Sequence, residues 1–161
     1  MFKWKNNNKT KLLIICGTRP EIIRLAAVMK TSKKYLDTLI CYTNQNYDKQ
    51  LSTVFWEDFE LGGPDILLHV AGKNLGETCA NIISQTYDLM VELKPDAVLV
   101  LGDTNSCLSA INAKRLHIPV FHMDVIQSLK LNIQKAFSSL GVEVSLNDII
   151  IEHSKDSSHG D

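Results

Sequence analysis

Short apolar runs bounded by turn residues alternate along this chain with longer stretches whose apolar positions recur every three or four residues. The runs at residues 12–16, 38–43, 67–70, 97–101 and 119–122 have the length and flanking residues of strands. The stretches between them carry the helical period. In the clearest, residues 75–93, the side chains of Leu75, Cys79, Ile82, Ile83, Thr86, Met90 and Leu93 share one face, and Pro95 forbids continuation. After the first run, Ile22, Leu25, Ala26 and Met29 form another stripe, and Pro20 suits the first helical position, where its missing N–H costs nothing. A third helix is predicted over residues 105–116, with Leu108, Ile111 and Leu116 inward. Strand and helix alternating in this way predict an α/β fold, a doubly wound, Rossmann-like parallel sheet whose ligands sit outside the carboxyl ends of the strands.

Beyond Met123 the pattern weakens. Ile126, Leu129, Ile133, Phe137 and Leu140 still make a helical stripe closed by Gly141, and "VEVSLNDIIIE" reads as a last strand or a short helix. The expected organisation is a flexible amino-terminal tail over 1–11, one domain over 12–145, and a carboxyl-terminal extension with a frayed end over 146–161.

Composition narrows the class. The chain has 161 residues, 45% hydrophobic and 22% charged, which is enough for one real core and close to the globular average. A formal net charge of −1 argues against a general nucleic-acid binder, so any anion has to be held locally. The four cysteines, Cys16, Cys41, Cys79 and Cys107, stand far apart with no CxxC pair and read as reduced, buried packing residues. The apolar segment after the basic start is too short for a secretory core, and no run is long enough to span a membrane, so a cytoplasmic protein is expected. No metal site or redox cofactor is suggested.

The chemistry gathers at the strand ends. In "GTRPE", Gly17 allows a tight strand-to-helix reversal that presents Arg19 beside the amides of the helix's first turn. Amides, helix dipole and guanidinium together suit a phosphate, with Arg24 as a second positive charge; the alternative is a solvent-exposed Arg19 paired with Glu21. There is no GxGxxG after the first strand and no GxxxxGK[ST] anywhere, which disfavours a dinucleotide dehydrogenase and a P-loop NTPase. In "VLVLGDTNS" a strand delivers Asp103 either as a helix N-cap or as a carboxylate in the cleft. Arg19, Asn46, Asp103 and Asp124 thus converge on one rim. His69, His117, His122 and His153 read as structural rather than as acid–base groups.

The stretches "GTRPEIIR", "TNQNYDKQL" and "KPDAVLVLGDTNSCLSAINAKRLHIPVFHM", in this order and spacing, resemble the amino-terminal half of the non-hydrolysing UDP-N-acetylglucosamine 2-epimerases, over residues 12 to about 123. The resemblance implies the first domain of a two-domain enzyme of glycosyltransferase-B architecture. Such enzymes interconvert UDP-GlcNAc and UDP-ManNAc for cell-surface polysaccharides, eliminating UDP to leave a 2-acetamidoglucal and adding it back. It implies substrate contacts for Arg19 and Arg24, and a catalytic role for Asp103.

The resemblance also has an edge. After "FHM" the family continues with a glutamate, a small-residue motif and an arginine, whereas this chain reads "DVIQSLKL". Asp124 holds the glutamate's position one methylene shorter, and an error of about 1 Å in reach can cost a hundredfold in rate. No counterpart of the family's second domain, with its uridine pocket and catalytic histidine, is expected in these residues. The expectation is epimerase descent with no activity in the isolated chain. The alternative is a nucleotide-sugar-binding or docking module, such as half of a split glycosyltransferase-B-type enzyme whose partner chain provides the other wall; the expected partners are a UDP-sugar and either a second copy of the chain or a complementary carboxyl-terminal chain.

Overall fold

The computed structural model describes residues 3–5, 8–45, 50–102, 104–123, 138 and 145, with only the backbone of 50–53. Asn46, Asp103 and Asp124 lie outside the described residues, as do the stripe residues Ile126, Leu129, Ile133, Phe137 and Leu140 and, apart from Ser145, the "VEVSLNDIIIE" stretch.

The elements follow in the order β1 (Lys11–Cys16), α1 (Arg19–Tyr35), β2 (Asp37–Tyr42), α2 (Gln50–Asp58), β3 (Ile66–Leu67), α3 (Leu75–Leu93), β4 (Ala97–Leu101), a 3-10 turn (Asn105–Leu108), α4 (Ser109–Arg115) and β5 (Val120–Met123). They build one parallel five-stranded sheet in the order β3-β2-β1-β4-β5. This is the doubly wound, Rossmann-like arrangement expected from the sequence. The chain reverses direction across the sheet between β1 and β4, the point at which such sheets open a crevice.

The central strands β1 and β4 are apolar because both faces are covered. Leu13, Ile15, Leu39, Cys41, Val98 and Val100 pack with Leu89, Met90 and Leu93 of α3 and Ala113 of α4. Side chains alternate along a strand, and so Leu12 and Leu99, one step out of phase, share a groove with Ala27, Val28 and Tyr35 of α1. The stripe predicted for α1 is buried at Ile22, Leu25, Ala26 and Met29.

Two helical faces differ from expectation. Leu75 opens α3 and is exposed, while Thr78 and Leu89 are buried instead. The Asn74 side chain caps the first turn by accepting from the Glu77 N–H at 2.9 Å. The segment after β4 starts as a 3-10 turn, whose three residues per turn shift the phase of everything that follows. Ile111 therefore faces out, and Ser109, Asn112 and Ala113 face in. Asn112 compensates its burial by donating to Ile83 O at 2.6 Å and Thr86 Oγ1 at 2.9 Å.

Trp4 and Lys5 hydrogen-bond to the folded domain. The Trp4 indole donates to Leu93 O at 2.7 Å, and the Lys5 N–H donates to Asp37 Oδ2 at 2.7 Å. The chain divides into two compact units, Met1–His122 and Met123–Asp161. Among the described residues, no helix is long and apolar enough to cross a membrane.

Candidate functional site

The carboxyl edge of the sheet is shaped by Glu21. This residue follows the Gly17–Thr18 turn at the third position of α1 and is 2% exposed. Its Oε2 accepts from the Gly17 N–H at 2.9 Å, the Thr18 N–H at 2.8 Å and the Thr18 hydroxyl at 2.8 Å. Its Oε1 accepts from the Thr104 hydroxyl at 2.9 Å and from the Ser106 hydroxyl. Thr18 and Glu21 form a capping box at the start of α1, and the same carboxylate crosses to the loop after β4. Buried charge is tolerated only when its lone pairs are met in this way.

Two expectations change as a result. Glu21 is no surface partner for Arg19, and the Gly17 and Thr18 amides are occupied by a carboxylate of the chain itself. Pro20 is the second residue of α1 and has no N–H, so the backbone contributes little to an anion here. What the turn presents is the Arg19 guanidinium. Arg19 is the first residue of α1, exposed at the carboxyl end of β1, and makes no ion pair with any described residue. Arg24 is also exposed, but five residues of helix place it about 140° around the axis from Arg19, away from the turn.

The end of β2 supplies a second group. Thr43 is fully buried and Gln45 half-buried, and Thr43 Oγ1 and Gln45 Nε2 have no hydrogen-bond partner among the described residues. Both lie against the open side of Gly17, where a Cβ would be only 2.5 Å from Gln45 Nε2. On the other flank, Gly102 at φ 69° turns the chain out of β4. Its carbonyl accepts from Cys107 Sγ at 2.9 Å and from His122 Nε2 on β5. His122 thus holds the backbone just before Asp103, which agrees with a structural part for this histidine.

Burial pushes the Cys41 thiol up to about 12, and pushes Cys16 up as well, with the charges of Glu21 and Cys41 adding to the effect. Cys16 and Cys41 are the buried packing thiols expected; Cys79 and Cys107 are only partly covered.

The described site therefore joins Arg19, Glu21, Thr43, Gln45, Gly102, Thr104 and Ser106 around the switch point. Comparison with known proteins assigns the architecture. The profile of the UDP-N-acetylglucosamine 2-epimerase family matches residues 29–125, more than half of the chain. The chain belongs to this family. It is 36% identical over 116 residues to the UDP-N-acetylglucosamine 2-epimerase of Methanocaldococcus jannaschii, covering 71% of this chain and 32% of that protein. A crystal structure of the M. jannaschii enzyme in complex with UDP-GlcNAc and UDP superposes with a TM-score of 0.66, over 70% of this chain and 32% of the other. The UDP-N-acetylglucosamine 2-epimerase from Rickettsia bellii gives 43% identity and a TM-score of 0.65, over 71% and 31%. The UDP-2,3-diacetamido-2,3-dideoxy-D-glucuronate 2-epimerase of Pseudomonas aeruginosa is 34% identical over 117 residues, covering 71% of this chain and 33% of that protein. The chain spans about a third of the length of the curated relatives it matches.

Proposed function

We propose that this domain forms one wall of a UDP-sugar site of the 2-epimerase type, with Arg19 contacting the diphosphate and Asp103 and Asp124 serving as the acid–base carboxylates. The observation that carries this reading is the placement of Arg19, whose exposed guanidinium, without an ion-pair partner among the described residues, stands at the switch point of a sheet shared with epimerases. Thr43 and Gln45 place a hydroxyl and an amide beside the same turn, and Asn46 follows them in the chain. Arg24, set around the helix from Arg19, would contribute charge at longer range.

The reaction by family is interconversion of UDP-GlcNAc and UDP-ManNAc, as the first half of a glycosyltransferase-B-type enzyme in polysaccharide biosynthesis. One carboxylate takes the C2 proton and another stabilises positive charge at C1 while UDP leaves. The second wall is supplied from outside the described residues, by a complementary carboxyl-terminal region or chain or by a second copy of this chain. Four cysteines outside any disulfide suit a cytoplasmic protein.

A UDP titration of the chain followed by amide shifts tests the reading. Shifts at Gly17–Glu21 that are lost in Arg19→Ala, with the fold unchanged, support it; no response in the wild type, or the same response in Arg19→Ala, removes it. A few charge-assisted hydrogen bonds of about 1.5–3 kcal/mol each, set against the cost of association, correspond to a dissociation constant on the order of millimolar.

A further inference from the structure

We propose that Glu21 is a positioning residue that holds the Arg19 turn and the loop after β4 in fixed register, so that an anion bound at Arg19 is felt at the Thr104–Ser106 segment. The loops leave adjacent strands of the switch point and are separated by 83 residues between Glu21 and Thr104. A carboxylate that served only to cap α1 would need only the Gly17 and Thr18 bonds, all of which fall on Oε2. Oε1 is turned wholly to the other loop.

The hydroxyls there are themselves linked. Thr104 Oγ1 and Ser106 Oγ are 2.6 Å apart, and together with Oε1 they make three oxygens sharing two hydroxyl protons. The two protons can serve only two of these three contacts at a time, and a compact polar network of this kind admits little slack. Behind it, Ser106 is fully buried, the Cys107 N–H donates to Thr104 O at 3.0 Å, and the Ser109 hydroxyl donates to Ser106 O at 2.7 Å. Displacing the Gly17–Thr18 turn therefore pulls on the first turn after β4, which follows Asp103 by one residue in the sequence.

This deepens the diphosphate reading and rests on it only for the ligand arm of the test. Amide exchange of the full chain without ligand probes the pinning itself. Glu21→Ala should speed exchange at Gly17, Thr18 and Cys107 together by roughly tenfold or more, without a matching change in β1 and β2. Glu21→Gln should restore most of the protection, because its oxygen can accept from the two amides while its NH2 donates to the two hydroxyls, which are free to reverse. Should Glu21→Ala fail to fold, the paired change Thr104→Val with Ser106→Ala keeps the Oε2 bonds. It should still loosen Gly17 and Thr18 by a few fold across the sheet edge.

Faster exchange confined to Gly17 and Thr18 in Glu21→Ala, or no change at those amides in the paired variant, would reduce Glu21 to a helix cap and overturn the proposal. With UDP added, the wild type should show shifts at Gly17–Glu21 and also at Thr104–Cys107, and the paired variant should keep only the first set. Shifts at both places in the paired variant would overturn the proposal. No UDP response in the wild type, with the ligand-free exchange pattern intact, would remove the diphosphate reading and leave the pinning standing.

Discussion

Gly17 packs so closely against Thr43 that a Cβ at position 17 would fall inside contact distance of Thr43 Oγ1. Gly17 Cα therefore touches the end of β2, and the site owes its closeness to the absence of a side chain. Both neighbours are confined, because Thr43 is fully buried and the Gln45 Nε2 atom is enclosed. Gly17→Ala should then lower stability by about 1–3 kcal/mol, the usual range for overpacking. Urea denaturation monitored by circular dichroism measures this, and an unchanged midpoint would mean that the edge is looser than described.

The phase of α4 makes an opposed pair of predictions. Asn112→Ala leaves the Ile83 carbonyl and the Thr86 hydroxyl without their partner and should cost about 1–3 kcal/mol. Ile111→Ala, on the exposed side, should stay within about 0.5 kcal/mol. Denaturation midpoints of the two variants decide the matter: a larger loss at Ile111 would restore the inward face expected from the simple helical period.

This contrast shows which parts of the fold are legible in a sequence. The span of the α3 helix is legible because an apolar stripe runs through residues 75–93 and Pro95 stops it, although its buried face takes in Thr78 and Leu89 and leaves Leu75 exposed. The β4 strand is legible because burial on both faces makes it continuously apolar. The inward face of α4 is not, since a 3-10 start of four residues leaves no mark in composition yet rotates every later position. Arg19 can be found from the "GTRPE" turn. Glu21 is missed because its decisive partners, Thr104 and Ser106, come from another loop. The spacing of Thr18 and Glu21 does carry the capping-box signature, and that signal pointed to a carboxylate turned back on the turn rather than toward Arg19.

The thiols predict a response to alkali. The Cys41 thiol is pushed from 9.0 up to about 12 by burial, so the unfolded chain releases this proton at lower pH than the folded one does. The contribution is fully present below about pH 9 and declines as pH rises toward 12, by about 1.4 kcal/mol per pH unit for this thiol. Cys16 shifts in the same direction. Stability followed by urea titration between pH 8 and about 11 should fall, and a Cys41→Ala variant, though less stable overall, should fall less steeply. Thiol labelling at neutral pH should reach Cys79 and Cys107 first and Cys16 and Cys41 only on unfolding; equal rates at all four would contradict the burial.

Trp4 should matter although it lies in the first turn of sequence. Its ring packs against the α3 side of the core, and its indole meets the Leu93 carbonyl at the end of that helix. Trp4→Ala should cost about 1–3 kcal/mol, less than a fully buried tryptophan because the ring is half-exposed. Thermal denaturation checks the loss, and a variant as stable as the parent would return the segment to the status of a tail.

The 161 residues, prepared as a polypeptide of their own, should not convert UDP-GlcNAc to UDP-ManNAc at a measurable rate. They correspond to about a third of the curated relatives, and the described part of the rim offers one guanidinium to a diphosphate. Binding on the order of millimolar leaves a sugar nucleotide poorly held, while elimination and re-addition of UDP demand carboxylates placed to within about 1 Å of their targets. With one wall of the site, neither the uridine nor the C2 carbon is fixed. Proton NMR of the anomeric signals over a day, against a control without protein, makes the measurement. Addition of a complementary carboxyl-terminal domain should raise the rate above background, and Asp103→Asn should abolish that gain while leaving UDP shifts at Arg19 in place. Turnover by the 161 residues alone would show that one wall suffices, and an Asp103→Asn complex with full activity would take the catalytic role away from Asp103.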